Sequence, residues 1–259
     1  MSEPLYSVVD SPLNGRTPVV LVHGVGSNCS AWSDVVAELA PNFPVLRYDL
    51  RGHGKSPLRE RPYTLEAFVD DHLEVMRRYN VRQSYLVGFS LGGLIAQAIA
   101  LRAPELVRRL VVIGAVAGRT GEERRRALDR LEALRADGAD NTNAKRWFTT
   151  EFLREHPDRV AANLTRQAQA DPDGYVAAYE VLATNDLAAE LHRVQAPTLA
   201  MTGEFDVGSP PHMTETIAAR VPDGRAVILR GYKHAVLDEI PQFVAARIGG
   251  FLSERTPDL

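Results

Sequence analysis

One serine in the chain is set among glycines in a way that suits covalent chemistry. Gly88-Phe89-Ser90-Leu91-Gly92, with Gly93 behind it, closes the apolar run "SYLVGF" (84–89) and opens "LGGLIAQAIALRA". Glycine two residues before and two after lets the backbone turn sharply from a strand into a helix and project the hydroxyl outward. The helix beginning at Leu91 places free N–H groups and a positive dipole end beside that hydroxyl. A serine at this place would otherwise be read as an ordinary helix cap. A hydroxyl is a weak nucleophile until a base takes its proton, so a histidine is needed at the same sheet edge. Seven exist: His23, His53, His72, His156, His192, His212 and His234. His234 is best placed, in "LRGYKHAVLDE", after the last apolar run and before the last helical one. His212, behind Pro210 and Pro211, is the rival. His72, His156 and His192 fall in helical or insert segments and are expected at the surface. The acid that orients the base is expected from "TGEFDVGSPP": Asp206, with Glu204 as the alternative. The order Ser90, Asp206, His234 is one known for a nucleophile on such a turn. The chemistry would be acyl transfer, with the amides of Leu91 and of Val25, in "HGVGSN", holding the oxyanion. His23, in the same loop, is expected to be structural. With no H-E-x-x-H pattern and a single cysteine, Cys29, neither a metal nor a cofactor is expected.

These residues need a frame that brings them to one edge. Six short apolar runs read as strands: 18–23, 44–49, 84–89, 109–115, 197–203 and 226–231. Near-continuous apolarity suits strands buried on both faces of a parallel sheet. Helical patterns lie between them, with Ser30 expected to cap the first and Thr64 at the head of the second. That alternation predicts a doubly wound α/β sheet. "YSVVD" is expected to pair with "PVVLVH" as an N-terminal hairpin across "SPLNGRT". From 118 to 195 the pattern is helical only. The expected organisation is therefore a core of 1–117 and 196–259 with a helical cap of 118–195.

Composition removes several classes of function. With 259 residues, 45% hydrophobic and 24% charged, the chain is ordinary for a globular protein. A formal net charge of −3 gives no basic field for nucleic acid or an anionic membrane. No run is long and apolar enough to cross a bilayer, "MSEPLYSVVD" does not read as a signal peptide, and one cysteine suits a reducing compartment. The expected location is cytoplasmic and the expected partner is a small molecule; the oligomeric state is open. A competing motif is "GVGSNC" after the first long apolar run, which approaches G-x-G-x-x-G, with Asp49 near the place of a ribose-binding acid. Cys29 stands where the third glycine belongs, and a dinucleotide site would leave Ser90, Asp206 and His234 without a role.

On "LVHGVGSN", "RYDLRGHGKS", "GFSLGG", "TGEFD" and "KHAV", the chain resembles the α/β-hydrolase superfamily along almost its whole length. Within it, "RYDLRGHGKS", "YTLE", "GFSLGGLIAQ", "RWFTTEF" and "DPDGYVAAYEVLATNDL" are similar to patterns of the 3-oxoadipate enol-lactonases. The resemblance implies an α/β-hydrolase fold with a helical cap, and cleavage of a small lactone or ester carrying a free carboxylate, from aromatic-compound breakdown. Alternatives it leaves open are a general carboxylesterase, a carbon–carbon bond hydrolase and a non-catalytic ligand-binding relative. Arg146, Trp147 and Phe148 of "RWFTTEF" are the expected substrate contacts, Trp147 or Phe148 against the acyl chain and Arg146 on the carboxylate; the alternative is that Phe148 and Phe152, four apart, join the helix to its neighbours and Arg146 lies in water. Lys233 departs from the family pattern beside His234 and is a second candidate cation.

Overall fold

The computed structural model describes residues 3–137 and 144–254; the expected chain ends of the core, and the ends expected from the sequence for two insert helices at Gly138 and Asn143, lie outside the described residues. In chain order the elements are β1 (Ser7–Val9), β2 (Val19–Val22), α1 (Ser33–Leu39), β3 (Val45–Tyr48), α2 (Leu65–Arg78), β4 (Ser84–Phe89), α3 (Leu91–Arg102) and β5 (Val107–Ile113). Between β5 and β6 the described elements are all helical: α4 (Gly121–Asp137), α5 (Ala144–Trp147), α6 (Thr150–Glu155), α7 (Pro157–Ala168) and α8 (Pro172–Thr184), with a short 3-10 turn before β6. The chain then returns through β6 (Thr198–Gly203), α9 (Pro211–Arg220), β7 (Gly224–Leu229), α10 (Val236–Glu239) and α11 (Pro241–Ser253).

One sheet runs β1-β3-β2-β4-β5-β6-β7, parallel except for β1. The order explains the apolar runs. Val20 and Val22 of β2 enter one core with Leu46, Leu86 and Leu110, while Val19 and Leu21 enter the other with Val45, Val87 and Val111. The strands from β2 to β6 are thus buried on both faces, without the two-residue alternation that a half-exposed strand shows, while the edge strands β1 and β7 are more open. α3 lies under the middle of the sheet and is buried at every position from Leu91 to Ala100.

The expected N-terminal hairpin is corrected. β1 pairs antiparallel with β3 (Ser7 opposite Tyr48), not with β2. β2 has no free edge, being flanked by β3 and β4. Half-exposed β1 takes the sheet rim, where Arg47 clamps Asp10 with two bonds of 2.7 and 2.8 Å. Ser30 is not a helix cap either. Asn28 accepts from the Ser30 amide at 2.9 Å and starts a 3-10 turn over Cys29–Trp32 that precedes α1. Thr64 does cap α2, accepting from the Ala67 amide at 3.1 Å.

His72 is fully buried rather than at the surface, its Nδ1 3.2 Å from the Tyr48 hydroxyl. It falls on the stripe Leu65, Phe68, Val69, Val75 and Met76 that turns α2 toward the core. His156 and His192 are exposed as expected.

Candidate active site

β2 is followed by β3 on one side and β4 on the other, so the strand order reverses between β2 and β4. A crevice outside the carboxyl ends of the strands is expected there. Val22 of β2 pairs with Gly88 of β4, which brings the loop after β2 level with Ser90. A Cβ placed on Gly24 would stand 3.0 Å from the Ser90 Cβ.

Ser90 sits at φ 55° and ψ −118°, in the left-handed half of the map that non-glycine residues rarely adopt. Such strain persists only where the surroundings impose it. Here the glycines impose it. Side chains on Gly88 or Gly92 would run into the Gly92 carbonyl or the Val22 carbonyl respectively, so β4, α3 and β2 close on each other only with hydrogen at both positions. The helix-cap reading of Ser90 does not hold: its side chain makes no cap hydrogen bond. Its backbone is fixed instead, the amide donating to Ile113 O at 2.8 Å and the carbonyl accepting from Gly93 and Leu94.

His234 lies between β7 and α10, and its Nδ1 is 2.6 Å from Asp206 Oδ2. Asp206 is 3% exposed, and its other oxygen accepts the amides of Gly208 (2.8 Å) and Ser209 (3.0 Å). Burial alone would raise the Asp206 carboxyl. The facing His234 ring and these hydrogen bonds outweigh it and hold the group below the usual carboxylate range. A carboxylate kept ionised this way requires Nδ1 to carry the proton, which leaves Nε2 as the free base. The His234 ring is packed between Phe89 (centroids 4.8 Å apart) and Trp147 (5.2 Å). Glu204, the alternative acid, is exposed and accepts the Gly231 amide at 2.9 Å. His212, the rival base, is engaged with Glu123 Oε1 at 2.8 Å.

Two further histidines hold the loop that carries the Val25 amide. His23 accepts the Leu50 amide on Nε2 at 2.9 Å and faces Gly24 O with Nδ1 at 2.7 Å. His53 repeats the pattern, Nε2 accepting the Gly26 amide at 3.0 Å and Nδ1 facing Arg51 O at 3.0 Å. Both must be neutral to accept, and burial lowers both. Asp49 ties the same loop, accepting the amides of Cys29 (2.6 Å) and Lys55 (2.8 Å). That occupies the carboxylate a dinucleotide reading would have placed on ribose.

Burial lowers His53 and His72 to about 4 each, from the ordinary histidine value near 6.5. As pH falls, the unfolded chain therefore takes up these protons before the folded one does. The stability that depends on neutral His53 and His72 is complete above about pH 6.5 and lost progressively down to about pH 4. At one pKa unit per 1.36 kcal/mol, the loss is on the order of 3 kcal/mol per histidine. Urea midpoints are expected to be level from pH 8 to 6.5 and to fall below it, less steeply in His72→Phe. A midpoint flat from pH 6.5 to 4.5 would rule this out.

Ser90, His234, Val25, Arg146 and Trp147 all line one cavity between the sheet edge and the helices that follow β5. Leu91 is buried at the head of α3, where its amide, as the first of the helix, has no intrahelical acceptor. Phe148 and Lys233 are corrections. Phe148 is fully buried and stacks on Phe152, centroids 5.5 Å apart, inside a small cluster with Val160 and Ala235. The Lys233 ammonium donates to Lys145 O at 2.7 Å. That bond, Ala235 N to Trp147 O (3.0 Å) and Thr149 Oγ1 to Glu239 (2.6 Å) fasten α5 to the His234 loop. Lys233→Ala is therefore expected to change turnover of charged and neutral esters by the same factor; selective loss on a charged ester would return it to the substrate. The cavity wall also carries Arg130, Tyr175 and Tyr179, which sequence reading did not single out. The two tyrosines, four apart on α8, were a legible signal; Arg130, in a charge-rich helix, was not.

A mostly parallel sheet with a strained serine at its switch point and a histidine loop beyond the last strand defines an α/β protein with a cavity at the carboxyl edge of the strands. The chain belongs to the α/β-hydrolase family, whose fold model matches residues 17–241. It is 31% identical over 244 residues to an (E)-2-((N-methylformamido)methylene)succinate hydrolase of Acinetobacter baylyi, covering 93% of this chain and 91% of that one. It is 29% identical to 3-oxoadipate enol-lactonase 2 of the same organism, covering 74% and 72%. The solved enol-lactonase of Burkholderia xenovorans LB400 superposes with a TM-score of 0.82 at 26% identity, covering 96% of each chain. Among the described residues no helix is long and apolar enough to cross a membrane, and no group of three or more His, Cys, Asp or Glu side chains is arranged to hold a metal ion.

Proposed function

We propose that the chain is a serine hydrolase that cleaves a small carboxylic ester or lactone through an acyl-enzyme, with Ser90 as nucleophile, His234 as base and Asp206 as the orienting acid. The observation that carries this reading is Ser90 held at positive φ without a cap hydrogen bond, on the cavity that also receives His234 with its Nδ1 on buried Asp206. His234 Nε2 takes the Ser90 proton as Oγ attacks the carbonyl. The tetrahedral oxyanion is held by the amides of Leu91 and Val25. His234 then protonates the leaving oxygen, and the acyl-enzyme forms. Water, deprotonated by His234, releases the acid and restores the serine.

The substrate is read as a lactone or ester bearing a free carboxylate, such as an enol-lactone acid from aromatic-compound breakdown. Similarity to an enol-lactonase and to a hydrolase of a substituted succinate supports it. So does Arg146 on the cavity wall, its guanidinium 4.9 Å over the Trp147 ring. The test is a panel of lactones and short esters against the purified protein, with mass detection of an acyl adduct on Ser90. Steady turnover with an adduct that disappears in Ser90→Ala is expected. Absence of turnover across the panel would leave a ligand-binding member of the fold family as the better reading.

A further inference from the structure

α4 turns a single face to the cavity, through Glu123, Arg126, Ala127 and Arg130, at the three- and four-residue spacing of one helical stripe. Most charges around it have partners. Glu123 is held by His212 and by the Thr120 amide and hydroxyl, and Arg126 by Glu122. Arg119 donates to the carbonyls of Leu182 and Asn185. Arg130 and Arg146 differ: among the described residues neither forms an ion pair, and Arg146 Nε is buried without a partner. Both face aromatic rings of the same cavity, Arg130 at 5.6 Å over Tyr179 and Arg146 at 4.9 Å over Trp147. Trp147 in turn stands against His234.

Both guanidiniums are half-buried, and burial first and the charge of Arg130 second disfavour the charged form of Arg146, with only a lesser opposing pull from Asp206. A carboxylate between them removes both costs, because guanidinium forks match carboxylate oxygens. Resting on the ester- and lactone-cleaving reading above, we propose that Arg130, Arg146 and the Tyr179 hydroxyl form a carboxylate subsite, so that the substrates are half-esters or lactone acids of dicarboxylic acids. The carboxylate end of the acyl group is anchored between α4, α5 and α8, and the ester carbonyl is presented to Ser90. Hydrolysis then yields a dicarboxylate that still fits the subsite, so the product inhibits competitively.

The test compares 4-nitrophenyl half-esters of succinic, glutaric and adipic acids with the same compounds methylated at the free acid. Arg130→Gln is expected to lower kcat/KM on the charged esters roughly ten- to a hundredfold, mainly through KM, and to leave the methylated ones within about threefold. Tyr179→Phe is expected to shift the same ratio in the same direction by a smaller factor. Equal losses on charged and methylated esters overturn the subsite. Calorimetric titration with adipate is read independently of turnover. Weaker binding to Arg130→Gln and Arg146→Gln, with unchanged melting temperatures, supports the subsite even if no ester is cleaved. Adipate binding that is undetectable in the parent protein, or unchanged in both variants, overturns it.

Discussion

Ser90→Ala is expected to lower kcat on a short ester or lactone by about 10⁴–10⁶-fold, His234→Ala by a similar factor, and the double variant by hardly more than either alone. The reason is that in the proposed mechanism the two groups act on one proton. Without the hydroxyl there is nothing for His234 to deprotonate, and without the imidazole the hydroxyl stays a weak nucleophile. Activity left in the double variant would come from the amides of Leu91 and Val25 and from the cavity walls, which remain. Ser90→Ala also removes a side chain that makes no cap hydrogen bond, so its melting temperature should change little. Multiplicative losses in the double variant would show that Ser90 and His234 do not work as a unit.

Asp206→Asn is expected to fold and to lose roughly 10⁴ in turnover. In the present structure Asp206 Oδ2 faces His234 Nδ1 at 2.6 Å, while the amides of Gly208 and Ser209 occupy Oδ1. Those two donors keep the amide oxygen of the asparagine on their side. Its NH₂ group then faces Nδ1, which must accept, so the proton moves to Nε2 and the base is lost. Glu204→Gln provides the contrast, since Glu204 only holds the Gly231 amide at an exposed turn and its loss should leave turnover nearly intact. A near-normal Asp206→Asn beside an inactive Glu204→Gln would move the orienting acid to Glu204.

Several parts of this arrangement were legible in the residues. Strands such as Ser84–Phe89 and Thr198–Gly203 stand out because burial on both faces leaves an uninterrupted apolar run. The serine turn is legible because the contacts that require Gly88 and Gly92 lie within or next to the turn itself. Sequence reading placed His72 at the surface, yet it falls on the buried stripe of α2, where periodicity outweighs the usual preference of histidine for the surface.

What the sequence by itself determined is therefore the sheet, the helical insert, the strained serine and the order in which its histidine and carboxylate follow, since each depends on near neighbours or on a repeating pattern. Tertiary structure alone decided which edge β1 joins, that Phe148 is buried away from the cavity, that Lys233 fastens α5 and that Arg130 and Tyr179 share a cavity with Arg146. Such contacts join residues far apart in the chain, Lys233 and Lys145 being 88 positions apart. Their partners are set by how the insert helices pack over the sheet edge, a geometry that periodicity within any one helix does not encode.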